Sequence, residues 1–278
     1  YGILPPTLRA AGAEVTTGPL TDLWEKEIEP PDAVVLAQPA NPEGCFLDEG
    51  ILRTLADYAL ENDCRIFSDE IFGLLALQRP KASTVPSPLT IEPRLIPKIA
   101  IFGGLSKEFA AGGMRMGFAA IPDPELREAL IDACLAPLQR TTALAAAHVY
   151  GAWLRTTAGE LAHPKRRAAL DGYLESLRRS LSAKRDLVAS AFGAAVKSCD
   201  AGGLFIAPDV SRWLDREFEG ERLRPETFPK ILYRHTGVVV NGGAWCSDPR
   251  RIRAVFSIPR EKVEEAARRL TGFLERVE

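Results

Sequence analysis

The chain has 278 residues, 26% of them charged, with a formal net charge of −2. That length can bury a sizeable core in one large or two modest domains, and the near-neutral balance offers no basic face for nucleic acid or an anionic membrane surface. No apolar run is long enough to span a bilayer, and no basic-then-apolar leader opens the sequence.

The chain opens at Tyr1 with a helical pattern close behind it. Residues Thr7 to Gly12 read as a helix end with a glycine C-cap. Ala13 to Thr17 reads as a short strand, and Trp24 to Ile28 as a short helix. Asp32-Ala-Val-Val-Leu-Ala37 is nearly continuous in apolar residues and bounded by prolines, which predicts a strand buried on both faces. It runs into Gln38-Pro-Ala-Asn-Pro-Glu-Gly44, a loop at a strand's C-terminal edge. Asp48 then caps a helix reaching about to Glu61. Arg65 to Ser68 is a further strand ending at Asp69-Glu70, and a proline-rich loop follows from Pro80 to Pro97.

The next stretch, Ile101 to Phe118, organises the chain. A strand from Ile99 turns through Gly103 and Gly104, presents Ser106 and Lys107, turns again at Gly112 and Gly113, and passes Arg115 into a second buried strand, Gly117 to Ile121. A lysine between two apolar strands is unusual, because burial lowers its pKa and favours Schiff-base chemistry. Arg115 offers a fixed fork for a phosphate or carboxylate. Taken alone, the segment reads more readily as a surface turn with two solvated cations.

Pro124 stands in the first turn of a helix, and helical patterns continue to about Thr156. Arg166 to Phe192 carries Leu170, Tyr173, Leu174, Leu177 and Leu181 at helical spacing and is a long amphipathic connector. Beyond it lie a strand at Gly203 to Ile206, a helix near Pro225 to His235, the apolar run Gly237 to Val240, a loop at Asn241 to Trp245, an alternating strand at Arg251 to Ser257 and a closing helix from Glu261 to Val277. The tract Arg216 to Arg224 is charged and reads as a surface loop. The expected fold is α/β: a large domain on a mostly parallel sheet over residues 1–165, a connecting helix over 166–192 and a smaller α+β domain over 193–278. Strand ends carry Asn41, Asp69 and Lys107, and open parallel sheets bind ligands at the carboxyl ends of their strands.

The five cysteines (Cys45, Cys64, Cys134, Cys199, Cys246) are scattered, with no Cys-x-x-Cys pair, so the expected setting is reducing and cytoplasmic. Three histidines far apart leave little for a zinc site, and no metal is expected.

Four motifs in order now bear on function: Asn41-Pro-x-Gly44, Ser68-Asp-Glu-Ile71, Ser106-Lys-x-x-x-x-x-Gly-x-Arg-x-Gly117, and Arg253-x-x-Phe256. Together they resemble the fold-type I pyridoxal-phosphate enzymes, and within them the class I/II aminotransferases. The resemblance implies pyridoxal 5′-phosphate as cofactor, an α-amino acid and a 2-oxo acid as substrates, and a homodimer. It implies that Lys107 forms the internal aldimine and moves a proton, that Asp69 pairs with the protonated pyridine nitrogen, and that Asn41 donates to the ring phenolate oxygen. Ser106 and Arg115 would hold the phosphate, Tyr1 would stack on the ring, and Arg253 would grip the substrate α-carboxylate as a bidentate fork. Read singly, Asp69 is as well explained as a helix N-cap, Asn41 as a turn former before proline, and Arg253 as one charge beside Arg250 and Arg251.

The chain departs from the family pattern in three places. Phe72 stands where a tyrosine usually donates to the ring oxygen, as in some carbon–sulfur lyases of the fold. Gly104 stands where a phosphate-binding serine is common. Roughly the first quarter to third of a typical member has no counterpart, including the glycine-rich phosphate loop and the N-terminal arm. The expected activity is therefore aminotransfer, with a lyase, cyclase or oxidase of the same fold, or a catalytically silent subunit, as alternatives.

Overall fold

The run from Asp32 folds as β1 (Ala33–Ala37), which pairs in parallel with β2 (Arg65–Asp69), and β2 pairs in parallel with β3 (Ile99–Gly104). β4 (Gly117–Ala120) lies antiparallel on β3 and completes the order β1-β2-β3-β4. These coordinates are a computed structural model describing residues 2–77, 87–114, 116–138, 151, 159, 163–197, 199, 201–246 and 248–277. The chain divides into two units. The sheet unit comprises Pro19–Gln38 and Leu47–Leu177, and the second comprises Tyr1–Gly18, Pro39–Phe46 and Arg178–Glu278.

In the sheet unit, Val34, Ile66 and Ile99 stand in register on three neighbouring strands. They pack with Leu55, Ala56 and Ala59 of α3 (Glu49–Glu61) in one core. The helix buries Leu52, Leu55, Ala56 and Ala59, the i, i+3, i+4, i+7 spacing of a single apolar face. Each large side chain so buried stabilises the fold by about 1.5–3 kcal/mol before entropy is counted. The Asp48 carboxylate starts α3 by accepting from the Gly50 N–H at 2.7 Å. After β2, the hydroxyls of Ser68 and Ser87 donate to Glu70 Oε1 at 2.9 and 2.7 Å, tying the strand end to α4 (Pro88–Ile91). Burial pushes the Glu70 carboxyl up, against the pull of those two hydroxyls. β3 leads into α5 (Leu105–Glu108), and β4 into α6 (Pro124–Leu138).

Four expectations for this unit change. β1 is not buried on both faces: Val34 and Leu36 are buried, while Val35, which points to the other face, is 43% exposed. β4, expected to be buried, is exposed at all four residues and stands at the opposite end of the strand order. The short helix expected over Trp24 to Ile28 is α2 (Asp22–Glu25), which starts two residues earlier. Of the proline-rich loop, residues 78–86 lie outside the described residues, and the remainder forms α4 and a 3-10 turn at Pro93–Lys98. The helical pattern expected between Leu138 and Thr156 lies outside the described residues except at position 151.

The long helix expected from Arg166 is α7 (Pro164–Phe192). In the second unit, β5 (Phe205–Ile206), β8 (Asn241–Gly242) and β9 (Ile252–Val255) form an antiparallel sheet in the order β5-β9-β8. α1 (Leu4–Ala10), α8 (Phe228–Thr236) and α9 (Arg260–Val277) belong to the same unit. α9 buries Val263, Ala267, Leu270, Phe273, Leu274 and Val277 along one face. The charged tract Arg216 to Arg224 is a hairpin, not a plain surface loop. β6 (Glu217–Phe218) and β7 (Glu221–Arg222) turn through Glu219 at φ 49° and Gly220 at φ 81°. The tract's aromatic residue anchors it: Phe218 is buried, 4.8 Å from the Phe273 ring and 4.9 Å from His235. Ala13 to Thr17 does not form a strand. Gly237 to Val240 is not a strand either, and the pairing falls on Asn241 and Gly242.

Two of the five cysteines, though scattered in sequence, are brought together. Cys45 and Cys199 form a disulfide across a sequence separation of 154. Among the described residues no helix is long and apolar enough to cross a membrane.

Candidate active site

The sheet unit contributes two chemical groups from neighbouring strands. Parallel pairing sets Asp69 opposite Phe102, so β2 ends on the carboxylate while β3 runs two residues further and into α5. Asp69 Oδ1 accepts from the Ile71 N–H at 3.1 Å. Burial pushes the Asp69 carboxyl up, and the Ile71 hydrogen bond opposes it. Among the described residues no ion pair engages this carboxylate. A half-buried acid in that condition favours a cationic partner, which would return it to the charged form.

Lys107 sits in α5, after Ser106, which is half-buried. The sequence places this lysine between two apolar strands and so predicts burial, but it is exposed. A four-residue helix, not a plain turn, stands between β3 and the turn toward β4, and Lys107 is its third residue. Lys107 Nζ lies 5.7 Å from the centroid of the Phe72 ring. Phe72 is buried and has the ring of a tyrosine without its hydroxyl.

Gly104 has a steric explanation. A Cβ at that position would stand 2.9 Å from the Met116 carbonyl oxygen and 3.2 Å from Gly117 Cα. The close approach of β3 and β4 therefore excludes the serine common at this point. Tyr1 and Arg115 lie outside the described residues.

The second unit contributes an arginine fixed from several sides. Arg253 lies on β9 directly opposite Asn241 on β8. Asn241 Oδ1 accepts from Arg253 Nε at 3.3 Å and Nη2 at 2.9 Å. Asn41 Oδ1 accepts from Nη1 at 3.2 Å, joining residues 212 apart in sequence. The guanidinium also lies 4.6 Å from the Trp245 ring and 5.7 Å from Phe205. The Asn41 loop is held by Gly44, whose φ is +68° and where a Cβ would stand 2.3 Å from the Phe205 carbonyl oxygen. The Cys45–Cys199 disulfide and the Gly202 N–H to Gly44 O bond at 2.8 Å fasten the same loop.

Asn41 and Arg253 are thus brought together within one unit, and Asp69, Phe72, Ser106 and Lys107 share the other. Sequence reasoning missed Asn241, Trp245 and Phe205. Only the antiparallel register of β8 on β9 identifies Asn241, and the signal for it was an asparagine in a glycine-rich turn ahead of an alternating strand. Among the described residues no group of three or more His, Cys, Asp or Glu is placed to hold a metal ion.

Solved structures share this fold. An aminotransferase from Mycobacterium tuberculosis superposes with a TM-score of 0.74 at 24% identity, covering 99% of this chain and 68% of that one. An aromatic aminotransferase from Pyrococcus horikoshii gives 0.73 at 20% identity, covering 93% and 64%. The fold is therefore that of the fold-type I pyridoxal-phosphate enzymes. Residues 1–270 match the family "Aminotransferase class I and II", and the chain belongs to that family. Its cofactor is pyridoxal 5′-phosphate.

The asparagine–oxo-acid transaminase of Streptococcus mutans is 25% identical over 247 residues, 87% of this chain and 57% of that protein. The aromatic-amino-acid aminotransferase 2 of Thermococcus litoralis is 34% identical over 103 residues, 37% of this chain and 25% of that protein. The chain spans between half and two thirds of the length of the relatives it matches most extensively, 57% for the Streptococcus protein and 61% for a probable aspartate/prephenate aminotransferase of Aquifex aeolicus.

Proposed function

We propose that this protein is an aminotransferase that moves an amino group between an α-amino acid and a 2-oxo acid, with pyridoxal 5′-phosphate attached at Lys107. The supporting observation is Asp69, a carboxylate raised by burial at the end of β2, with an exposed lysine on the helix that follows the adjacent parallel strand. When bound, the cofactor supplies an electron sink for the substrate's Cα bonds. Asp69 would hold the proton on the pyridine nitrogen. Lys107 Nζ would bind the aldehyde carbon and carry a proton to and from the substrate Cα. Asn41 engages Arg253 through Oδ1, which leaves Nδ2 to donate to the ring oxygen. Ser106 and Arg115 would hold the phosphate, Tyr1 and Phe72 would flank the ring, and Arg253 would bind the substrate α-carboxylate.

In this reading residues 1–165 are the cofactor domain, 166–192 the connecting helix and 193–278 the small domain. The working unit is a homodimer and its setting the cytoplasm. The Cys45–Cys199 disulfide weighs against a reducing compartment, and thiol titration of protein from intact cells decides the point.

A lyase, cyclase or oxidase reading draws support from Phe72, because phenylalanine lacks the hydroxyl with which a tyrosine there would moderate the cofactor's electronics. A silent structural subunit is the third reading.

The test is the full-length protein with the cofactor added. The expected result is absorption at the violet edge that borohydride bleaches, lost in Lys107→Ala together with amino transfer. No band in the full-length protein would leave the silent subunit standing. A band without 2-oxo-acid-dependent transfer would leave the lyase group.

A further inference from the structure

The way Arg253 is held goes beyond its assignment as a carboxylate binder. A guanidinium has five N–H donors. Asn241 Oδ1 spans two of them, on Nε at 3.3 Å and Nη2 at 2.9 Å, which lie along one side of the group. Asn41 Oδ1 takes a third, on Nη1 at 3.2 Å. Among the described residues these contacts leave one N–H on Nη1 and one on Nη2.

The acceptor at 241 is also a neutral one. An amide oxygen orients the fork without cancelling its charge, whereas a carboxylate there would form an internal ion pair and compete with any incoming anion. Register enforces the contact. Asn241 and Arg253 are directly opposed on antiparallel β8 and β9, so the hydrogen bond requires no long-range adjustment of either side chain. The Trp245 ring 4.6 Å from the guanidinium restrains its tilt.

We propose that Asn241 is a positioning residue for substrate recognition. By occupying the Nε side of Arg253, it directs a monocarboxylate to the remaining Nη1 and Nη2 donors, and by being neutral it keeps Arg253 available to that anion. This rests on the reading of Arg253 given under the proposed function.

The decisive experiment titrates the full-length holoenzyme with propionate, an unreactive carboxylate, by calorimetry. Arg253→Ala serves as control, and denaturant unfolding checks each variant. Asn241→Asp, which matches the native side chain in size, is expected to weaken propionate about 10-fold or more, and Asn241→Ala about 3-fold, in line with a charge-assisted bond that is neutralised or merely disordered. KM for an α-amino acid should rise in parallel, while KM for the corresponding decarboxylated amine should stay put, which a purely structural defect would not produce. If Asn241→Asp unfolds early, Asn241→Ser is read in its place, with the effect expected for the alanine variant.

Propionate affinity within about 2-fold of the parent in every folded Asn241 variant, with Arg253→Ala still losing it, overturns the role of Asn241 and leaves Arg253 as the carboxylate site. Unchanged affinity in Arg253→Ala overturns the reading on which the inference rests.

Discussion

The lysine–aspartate region and the arginine region are built in different ways. Asp69 and Lys107 are delivered by the ends of two adjacent parallel strands, each set by its own apolar run. Arg253 is held by Asn241 from a short antiparallel partner and by Asn41 from a loop 212 residues away, and a disulfide fastens that loop. A site delivered by strand ends can be read along the chain. A site tied across the chain depends on every one of its ties.

The contrast breaks most directly at Arg253. Arg253→Ala is expected to raise KM for an α-amino acid by about 100-fold, the cost of losing a charge-assisted bidentate contact, with little change for decarboxylated amines. Steady-state kinetics on both substrate types checks this, and an equal loss on amines would remove the arginine from carboxylate binding.

The next largest effect belongs to the disulfide. Cys45→Ala removes a link spanning a sequence separation of 154. It should cost about 2–5 kcal/mol of unfolding free energy. Denaturation with and without a thiol reductant measures it, and the variant should lose the reductant sensitivity of the parent.

Local capping in the sheet unit matters less. Asp48→Ala deletes the bond to the Gly50 N–H and should destabilise by about 1 kcal/mol. Because Asp48 belongs to the strand-end region, propionate affinity should not move.

The smallest expected effect is a pH slope. Burial raises the Asp69 and Glu70 carboxyls above their ordinary values, so the folded chain holds those protons more tightly than the unfolded chain. Stability should therefore fall as pH rises from the ordinary carboxylate range, near about 4, through the raised values, and recover on acidification. The double variant Asp69→Asn, Glu70→Gln should flatten that slope in unfolding midpoints. Pyridoxal phosphate should flatten it too by giving Asp69 a cationic partner, and a slope unmoved by cofactor would separate Asp69 from the pyridine nitrogen.

Much of the fold was legible. The helix from Asp48, the strands β2 and β3, α7 and the closing helix all announce themselves by apolar period and cap. Face and edge were not. β1 and β4 look like interior strands in sequence, yet each stands at an end of the strand order, and an apolar run carries no record of how many neighbours it will have. The hairpin of Arg216 to Arg224 hid behind its charges because only Phe218 and Leu223, two apolar residues too few to show a period, are buried among the described residues of the tract. The four-residue helix that carries Lys107 is too short for any periodicity to announce.

The residues by themselves determined which side chains bear chemistry and in what order they occur, because each motif is a short run whose meaning is local. Tertiary structure alone decided the partners. Cys45 meets Cys199, Asn41 meets Arg253 and Asn241 faces Arg253 because hydrogen-bond register and chain crossing bring distant positions within about 3 Å, the range in which directional bonds form.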